Sequence, residues 1–449
     1  MVVMKFGGSS VANAQRIRHV IEIVRTQLDQ KPVLVLSAMG DTTDHLLEAG
    51  NAALERGEVS IQHIEQHHLE TMKELKLPNQ TRREIASLFE QLRRLLSGVS
   101  LIREMTPRTK DFLVSFGERL SVRIAAACCN SAGIKAAACD AWEVGFVSDS
   151  NFTCAELLRE SWELIPQKIN PLRKGGVLPV VTGFIAKDPN GRITTLGRGG
   201  SDLSATMIAA ACRAQEVQVW KDVDGILTAD PRIVTRAKPV EAVTYEEAAE
   251  LAYFGAQVLH PRAMQPCIKT GTPVRVKNSY NAAAPGTRII AALDKKSVPV
   301  RAITFRRNVT LVDIVSTRML GQYGFLAEVF SCFARYGVSV DMVATSEVSV
   351  SLTIDAAQDI SAVKKELSRI AHVEVKTGMA IVTIVGNVRR SSEILARAFK
   401  TCQLIGVPVQ MVSQGASKVN ISFIVNGEEA VDVVRALHLD FFAPFNERS

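Results

Sequence analysis

This 449-residue sequence lacks the features that would place it in several special classes of protein. No apolar run is long enough to span a membrane, and the first residues are not expected to form a signal or transit peptide. None of the eight cysteines belongs to a Cys-x-x-Cys pair, which argues against a zinc or redox motif and favours a reducing, cytoplasmic location. The lysines and arginines occur singly or in pairs despite a formal net charge of +7, so neither a nucleic acid nor a membrane is expected as a partner.

What remains is the composition of an ordinary globular protein, with 47% hydrophobic and 22% charged residues. The length favours about two to four domains. The diffuse positive charge is compatible with a small anionic substrate but does not by itself indicate one.

The most informative stretch is glycine-rich and reads Leu196-Gly-Arg-Gly-Gly-Ser-Asp-Leu-Ser-Ala205. Its three glycines allow the backbone to approach a ligand closely, and the apolar helix predicted over 203–212 would present unpaired amides to an anion. Arg198 adds a planar guanidinium suited to a carboxylate or phosphate, and Asp202 suggests that a cation or metal is oriented nearby. An ordinary strand-to-helix turn with a good helix start is the alternative interpretation.

Two further turns of small residues follow predicted strands near the start of the chain. Lys5 ends the strand over 2–5 and precedes Phe-Gly-Gly-Ser-Ser, while the strand over 32–36 precedes the loop Ser37-Ala-Met-Gly-Asp-Thr-Thr-Asp44. Repeated strand-turn-helix units with ligand loops at the strand ends predict an open, mostly parallel sheet. Under the alternative interpretation, Lys5 ends an edge strand and has no ligand.

A charged region over about 45–110 has helical spacing and is interpreted as a helical insertion. His63, His67 and His68 cluster there, and the first two share a helix face. Because no third ligand stands at the spacing of a zinc protease, solvated histidines are favoured over a metal site. The following helix carries Glu118, which either lines a site or lies on the surface.

Residues beyond about 300 contain an internal repeat. The segment Gly337-Val-Ser-Val-Asp-Met-Val343 aligns with Gly406-Val-Pro-Val-Gln-Met-Val412. Two small α/β modules in tandem indicate ligand sensing and pairing between modules. A duplicated structural cap without a ligand is the alternative.

In this order and spacing, five motifs resemble those of aspartate kinases, members of the amino acid kinase superfamily with two C-terminal ACT-type regulatory modules. The motifs are Lys5-Phe-Gly-Gly-Ser-Ser10, Ser115-Phe-Gly-Glu-Arg-Leu-Ser121, Gly197-Arg-Gly-Gly-Ser-Asp202, Lys221-Asp-Val-Asp-Gly225 and Ala229-Asp-Pro-Arg232. The resemblance covers nearly the whole chain. It implies an α/β fold, with an open, mostly parallel sheet sandwiched by helices over 1–290. Two ferredoxin-like βαββαβ ACT modules, often interleaved in this family, would follow over 300–375 and 376–449.

The reaction implied by the resemblance is transfer of the γ-phosphoryl group of ATP, with Mg²⁺ bridging the phosphates, to the side-chain carboxylate of L-aspartate. Such a carboxylate is already ionised near pH 7, so positive charge and positioning matter more than a general base. By resemblance, Lys5 neutralises the transferring phosphoryl group and Asp202 orients Lys5, and no metal held by protein side chains is expected. The residues implied to bind aspartate are Thr43, Glu118, Arg198 and Ser201. Arg198 would hold the α-carboxylate and Glu118 the α-ammonium group.

The resemblance also implies sites for the nucleotide and for a feedback effector, with lysine preferred. The nucleotide residues are Lys5, Gly7, Gly8, Ser9, Gly199, Gly200, Lys221, Asp222, Leu227, Arg232 and Gln257. Gln257 replaces a lysine found in some members, so hydrogen bonding rather than a charged contact is expected there. The effector residues, in the first ACT module, are Met319, Gly324, Phe325, Leu326, Ser339, Val340, Asp341, Thr345, Ser346 and Glu347.

The second module differs at two of these positions. Gln410 and Ala416 stand where the first module has Asp341 and Glu347, so the second module is expected to serve packing rather than effector binding. ACT modules pair through edge strands, which favours a homodimer or tetramer. Two other functions fit parts of the pattern, namely a kinase for glutamate or N-acetylglutamate and an amino-acid sensor with an inactive kinase domain.

Overall fold

The computed structural model describes residues 1–253, 259–293, 300–316, 323–386, 390–414 and 419–443. Internal contacts divide the chain into two compact units. The first comprises Met1–Ile226, Glu241–Tyr245 and Val258–Leu293, and the second comprises Leu227–Val240, Glu246–Gln257 and Asp294–Ser449. Within the described ranges, no helix is both long and apolar enough to cross a lipid bilayer.

An eight-stranded sheet forms the centre of the first unit. The strands of this unit are β1 (Val2–Phe6), β2 (Val33–Leu36), β3 (Ala136–Cys139), β4 (Leu178–Thr182), β5 (Ile185–Lys187), β6 (Ile193–Thr195), β7 (Glu216–Lys221), β8 (Ala242–Thr244), β9 (Val274–Asn278) and β10 (Thr287–Ile290). The sheet order is β3-β4-β2-β1-β7-β9-β10-β8, and all neighbours are parallel except β9 and β10. β5 and β6 form a separate antiparallel hairpin.

β1 lies in the middle of this sheet, since it is parallel to β2 on one side and to β7 on the other. Val2, Val3, Met4 and Phe6 are at most 1% exposed, as expected for a strand covered on both faces. Because the carboxyl ends of parallel strands meet at one edge, Lys5 and the loops after β2 and β4 converge there. The predicted fold class is confirmed, and the interpretation of Lys5 as the end of an edge strand is wrong.

Helices pack against this sheet and supply most of the surrounding structure. In chain order they are α1 (Ala14–Arg25), α2 (Thr42–Glu55), α3 (Gln62–Glu74), α4 (Asn79–Ile102), α5 (Pro107–Ser131), α6 (Ser161–Lys174), α7 (Gly200–Ala211) and α9 (Pro261–Thr270). The helix α8 (Tyr245–Tyr253) comes between α7 and α9 in the chain and belongs to the second unit from Glu246 onward. The charged region over 45–110 is helical as predicted. Leu46, Ile64 and Phe89, from α2, α3 and α4, are buried in one core with residues of β1 and β2.

His68 differs from the prediction that the clustered histidines are solvated. His63 is exposed and His67 half-buried, but the His68 side chain is fully buried on α3. Its Nδ1 atom lies 2.7 Å from the carbonyl oxygen of Ile64, and its ring contacts the edge of Phe89. Burial lowers the pKa of His68 to about 4, because the charged imidazolium would lose its hydration.

The free energy of unfolding should therefore depend on pH through His68. An unfolded histidine has a pKa near 6.5, so between about pH 6.5 and 4 the unfolded chain binds a proton that the folded chain excludes. We expect the stability advantage of the native chain over a His68→Leu variant to shrink as the pH falls from about 7 to 5, by up to ~1.4 kcal/mol per pH unit. Denaturant unfolding at several pH values measures this difference. The exposed-site variant His63→Leu should show a much smaller pH dependence, and a constant difference for His68→Leu would contradict the assignment.

A six-stranded antiparallel sheet organises the second unit. Its strands are β11 (Val300–Val315), β12 (Val343–Thr345), β13 (Ser349–Asp355), β14 (His372–Gly386), β15 (Met411–Ser413) and β16 (Asn420–Asn426). Their order is β12-β13-β11-β14-β16-β15. The helices that pack on it are α10 (Phe325–Arg335), α11 (Ser361–Leu367), α12 (Ser391–Leu404) and α13 (Ala430–Phe442).

β11 and β14 are long because each contributes to both copies of the repeat. The C-terminal half of β11 pairs with β13, and its N-terminal half pairs with the part of β14 that also pairs with β16. Val300 and Ile303 accordingly share a core with α12 and α13, whereas Val312 and Ile314 share one with α10 and α11. The two four-stranded modules are therefore interleaved, and Lys376 lies inside β14.

Candidate active site and effector site

Lys5 and Asp202 form a salt bridge at the carboxyl end of the central strand. Lys5 Nζ lies 2.8 Å from Asp202 Oδ1, and the two side chains are only 10% and 11% exposed. Lys5 is the penultimate residue of β1, and Asp202 lies in the first turn of α7. The pair holds an ammonium group in a fixed position, where it can stabilise negative charge that develops in front of it.

Glycine turns let two backbone segments approach this salt bridge. A Cβ atom on Gly8 would lie 2.8 Å from the carbonyl oxygen of Gly40, so glycine is needed for the turn after β1 to pack against the loop after β2. Gly199 has φ of 74°, and a Cβ atom there would lie 2.7 Å from Cβ of His260. α7 begins directly after Gly199, so its unpaired amides offer an anion site beside Lys5.

A cleft with a volume of about 370 Å³ opens above the salt bridge. Its walls come from the end of β1, the loop after β2, α5 and the glycine-rich loop before α7. The lining residues are Lys5, Gly8, Ser37, Ala38, Gly40, Thr43, Glu118, Phe184, Gly197, Arg198, Gly199, Gly200, Ser201 and Asp202. Residues from five separate parts of the sequence thus meet in one polar cleft.

Glu118 is the most strongly perturbed acid of this cleft. It is 3% exposed, and its Oε1 accepts a hydrogen bond of 3.2 Å from the amide of Ala38, while within the described residues no donor reaches Oε2. Burial raises the pKa of Glu118 to about 8, although the nearby Lys5 acts in the opposite direction. A buried carboxyl with one unpaired oxygen in a cleft is typical of a site for a cationic group.

The other residues predicted to bind aspartate line the same cleft. Arg198 is exposed at the rim, while Thr43, at the start of α2, and Ser201, in the first turn of α7, are half-buried. An exposed guanidinium and a buried carboxyl on one cleft match the carboxylate and ammonium groups of an amino acid.

The residues predicted to bind nucleotide are divided between the two units. Gly8, Gly199 and Gly200 line the cleft, and Gly7 and the exposed Ser9 belong to the same turn as Gly8. The remaining positions are Lys221 and Asp222 in the first unit, Leu227 and Arg232 in the second, and Gln257, which lies outside the described residues.

Besides Lys5, the cations among the predicted nucleotide positions are Lys221 and Arg232. Burial lowers the pKa of Lys221, Asp202 raises it and Lys5 lowers it, so Lys221 shares the electrostatic field of the Lys5–Asp202 salt bridge. Arg232 is exposed and forms a salt bridge of 2.7 Å with Asp230.

Two residues near the glycine-rich loop were not predicted from the sequence. Asp111 is 1% exposed and accepts hydrogen bonds from the amides of Thr153 and Thr195 and from the hydroxyl of Thr195. Arg262 donates to the carbonyl oxygens of Leu196 and Ala155. The sequence offers one weak signal for each residue. Asp111 is a charged residue near the start of an apolar helix, and Arg262 belongs to a His-Pro-Arg sequence at the start of α9.

The positions predicted to bind an effector lie around the start of α10 and around β12. Gly324 caps α10 with φ of 92°, Phe325 is buried and Leu326 is exposed. Ser339, Thr345, Ser346 and Glu347 are exposed, and Val340 is half-buried. Met319 lies outside the described residues.

Asp341 already has partners within the second unit. Its Oδ1 accepts a hydrogen bond of 2.7 Å from the Tyr253 hydroxyl, and its Oδ2 lies 3.1 Å from Arg306, which also pairs with Asp355 at 2.7 Å. An effector ammonium group at Asp341 must therefore compete with, or join, the Arg306 guanidinium.

Among the residues in the described ranges, no group of three or more His, Cys, Asp or Glu side chains is arranged to hold a metal ion. The rings of His45 and His63 contact one another, with centroids 4.2 Å apart and an angle of 35° between the ring planes.

Family profiles match both units of the chain. The amino acid kinase family matches residues 1–278, and the ACT domain matches residues 312–365 and 382–441. Aspartokinase 1, chloroplastic, from Arabidopsis thaliana is 50% identical to this chain over 98% of the chain and 80% of its own length. The chain belongs to the aspartokinase family. The two ACT matches fall on the two copies of the internal repeat, so the repeat is the regulatory pair of this family.

Two solved structures of aspartokinase III from Escherichia coli share this architecture. The R-state structure, in complex with aspartate and ADP, has a TM-score of 0.81 and 34% identity and covers 98% of this chain and 100% of its own. The T-state structure, in complex with lysine and aspartate, has a TM-score of 0.83 and 35% identity, over 98% and 99% of the two chains. The whole described fold is therefore that of an aspartokinase.

Proposed function

We propose that this chain transfers the γ-phosphoryl group of Mg·ATP to the side-chain carboxylate of L-aspartate, giving 4-phospho-L-aspartate and ADP. This is the first step of lysine, threonine and methionine biosynthesis, and we propose feedback inhibition by lysine at the first ACT module. The Lys5–Asp202 salt bridge, in a cleft that also holds Arg198 and Glu118, carries the proposal. Membership of the aspartokinase family and the aspartate, ADP and lysine bound by the Escherichia coli relative support it.

The catalytic problem is to bring a carboxylate nucleophile to a polyanionic phosphate chain. An ionised carboxylate needs no general base, so the protein contributes position and positive charge. Lys5 Nζ would contact the transferring phosphoryl group, and Asp202 holds Lys5 in place without moving a proton. Asp202 is already paired with Lys5, so we assign it no role as a base.

Backbone amides would bind the remaining phosphate oxygens. The turn of Gly7, Gly8 and Ser9 follows Lys5, and the start of α7 at Gly199 and Gly200 lies across the cleft. Anions are stabilised at such helix starts by unpaired amides and the helix dipole. The magnesium ion would enter with ATP as part of that substrate, bound through the phosphates.

The cleft also has a matching group for each end of L-aspartate. The Arg198 guanidinium would hold the α-carboxylate through two hydrogen bonds, and Glu118 would accept the α-ammonium group. Thr43 and Ser201 would orient the substrate from opposite walls. With both ends of the amino acid held, its side-chain carboxylate can reach the phosphoryl group beside Lys5.

The affinity for L-aspartate should depend on the ionisation of Glu118. Because burial raises the pKa of Glu118 to about 8, the empty cleft holds a largely neutral carboxyl at lower pH, and binding of an ammonium group must expel the proton. We expect KM for L-aspartate to rise by up to about tenfold for each unit that the pH falls below 8, and to level off above it. Steady-state kinetics between about pH 6.5 and 8.5, where the aspartate carboxylates stay ionised, test this.

A Glu118→Gln variant is the control for this pH profile. Its amide cannot ionise, so KM for L-aspartate should be higher than in the native chain and nearly independent of pH. A native KM that is flat over the same range would show that Glu118 is ionised in the empty cleft, contrary to the burial argument.

Further nucleotide contacts are proposed for the segment after β7. Lys221 and Asp222 would contact the nucleotide, and the resemblance also implies nucleotide contacts for Leu227, Arg232 and Gln257. We also propose that residues 1–290 form the catalytic domain and that two interleaved modules over 300–375 and 376–449 form the regulatory domain.

The effector proposed for the first module is lysine. Asp341 and Glu347 would bind its ammonium groups, and the amides at the start of α10, after Gly324, would bind its carboxylate. The exposure of Glu347 and the polarity of the surrounding positions support this site. In the second module, Gln410 and Ala416 replace the carboxylates of Asp341 and Glu347, which supports a packing role for that copy.

A homodimer or tetramer assembled through the ACT modules is also proposed. Leu326 and Phe330 are 40% and 37% exposed on α10, and the equivalent Phe399 is 38% exposed on α12. β12 and β15 are the edge strands of the six-stranded sheet, and edge strands are the ones that can pair with another chain. The cytoplasmic location expected from the cysteine pattern stays a proposal, and the Arabidopsis relative is named as a chloroplast protein.

ADP release measured by a coupled assay tests the proposed reaction directly. ADP should form only when L-aspartate is present, and lysine should reduce the rate. Equal turnover with glutamate or N-acetylglutamate would favour another amino acid kinase. Lysine binding without any turnover would favour a sensor with an inactive kinase domain.

A further inference from the structure

The glycine-rich loop that carries Arg198 is joined to a second segment of the chain, residues 153–155. The amide of Ala155 donates a hydrogen bond of 2.9 Å to the carbonyl oxygen of Thr195. Thr153 has φ of 71°, an unusual conformation for a β-branched residue that the surrounding contacts must hold in place. The two segments thus form a common base for the loop, and Arg198 extends from this base into the cleft.

Two charged side chains, Asp111 and Arg262, form hydrogen bonds to both segments of this base. On one side, Asp111 accepts hydrogen bonds of 2.9 Å from the amides of both Thr153 and Thr195 and one of 2.8 Å from the Thr195 hydroxyl. On the other side, Arg262 donates to the carbonyl oxygens of Leu196 at 2.9 Å and Ala155 at 2.7 Å. Each side chain therefore bridges the segment 153–155 to the residues immediately before Arg198.

Arg262 is itself held rigidly at the first turn of α9. The helix starts after His260, whose side chain accepts a hydrogen bond of 3.3 Å from the amide of Arg262, and His260 packs against Gly199. A third contact joins Arg262 to the sulfur of Cys154 at 3.2 Å. The planar, five-donor guanidinium suits this role because it can reach several acceptors at once, which a lysine ammonium on a flexible stem does less well.

We propose that Arg262 and Asp111 are positioning residues that fix the direction in which Arg198 presents its guanidinium to the α-carboxylate of L-aspartate. This inference rests on the proposed function, in which Arg198 binds that carboxylate. Neither Arg262 nor Asp111 lines the cleft, so each acts through the loop rather than on the substrate. A loop that keeps its hydrogen bonds but shifts by a fraction of an ångström would misdirect the Arg198 guanidinium.

A double-mutant cycle between Arg262 and Arg198 tests the inference on the full chain. Arg262→Lys keeps the charge but cannot keep all three contacts, and we expect it to raise KM for L-aspartate by about tenfold. In an Arg198→Ala background the same Arg262→Lys change should alter KM by less than about twofold, since the guanidinium that it positions is gone. Asp111→Asn, which keeps an acceptor oxygen, should stay near the native KM, whereas Asp111→Ala should resemble Arg262→Lys.

Arg275→Lys is the matched control. Arg275 is a partly buried arginine of the same unit that binds Glu216 at 2.8 Å and does not line the cleft, so its replacement should leave KM for L-aspartate unchanged. Thermal unfolding shows whether each variant is folded. If Arg262→Lys does not fold, the double-mutant cycle is run instead with Asp111→Asn and Asp111→Ala, each combined with Arg198→Ala.

The outcomes separate the inference from the function on which it rests. If Arg198→Ala leaves KM for L-aspartate unchanged, the proposed role of Arg198 is wrong and the positioning role falls with it. If Arg198→Ala raises KM but Arg262→Lys has an equal effect in both backgrounds, or none in either, the positioning role alone is overturned. Loss of the Arg262 effect in the Arg198→Ala background supports it.

Discussion

Lys5→Ala is expected to reduce kcat by about 10³-fold or more while the chain still folds. The reason is that Lys5 places a cation in the cleft, where we propose that it stabilises the phosphoryl group during transfer between two anions. Asp202, left without its partner at 11% exposure, can be hydrated from the open cleft, so we expect a moderate loss of stability rather than unfolding. Single-turnover kinetics and thermal unfolding on the same preparation measure both effects.

Lys277→Ala is the matched control for Lys5→Ala. Lys277 lies on β9 in the same sheet, is partly buried against Trp220 and donates to the carbonyl oxygen of Ala284, but it does not line the cleft. Its removal should leave kcat within about twofold of the native value. Native turnover in a folded Lys5→Ala variant would mean that the phosphoryl group is stabilised by another cation, with Lys221 the first to examine.

Glu347→Ala is expected to raise the lysine concentration needed for half-inhibition by roughly tenfold to a hundredfold, with basal turnover nearly unchanged. The exposed Glu347 carboxylate can be removed without leaving a buried group unpaired, so the loss reports the charged hydrogen bond to the effector. Asp341 is a less direct probe, because its truncation would also release Arg306 and Tyr253. Inhibition curves at fixed ATP and L-aspartate give the measurement.

The second copy of the repeat provides the control for Glu347→Ala. Gln410 occupies the position of Asp341 in that copy, and Gln410→Ala should leave the inhibition curve unchanged if only the first module binds lysine. Relief of inhibition by Gln410→Ala, or an unaltered curve for Glu347→Ala, would count against the effector site proposed here. Threonine and methionine, tested in the same assay, show whether the site prefers lysine.

Much of the fold could be predicted from local patterns. The apolar strands β1, β2 and β4 are short buried runs followed by glycine-containing turns, and the repeat locates the two regulatory modules. The interleaving of the modules through β11 and β14 is visible only in the tertiary structure. A long strand that pairs with different partners along its length has the same local sequence pattern as two short strands.

The candidate site shows the same division between local motif and distant contact. Lys5, Glu118, Arg198 and Asp202 belong to motifs whose glycine and charge pattern is visible in the sequence. The supporting residue Arg262 binds Leu196 across 66 residues, and such a contact leaves no trace in spacing or periodicity. The prediction that His68 is solvated is wrong for a similar reason, since its ring packs against Phe89 from another helix.

The sequence by itself determined the turns, the central buried strands, the repeat and the residue types proposed to bind phosphate and amino acid, because these depend on backbone conformation and side-chain chemistry within a few residues. Only the tertiary structure decided which charges are buried and paired. It placed Asp202 on Lys5, tied Asp341 to Arg306 and raised the pKa of Glu118, because desolvation and salt bridges depend on neighbours brought together by folding. The residues proposed to carry out the reaction of this aspartokinase therefore lie in local motifs. The pH dependence expected from Glu118 and the proposed positioning of Arg198 depend on contacts between distant segments.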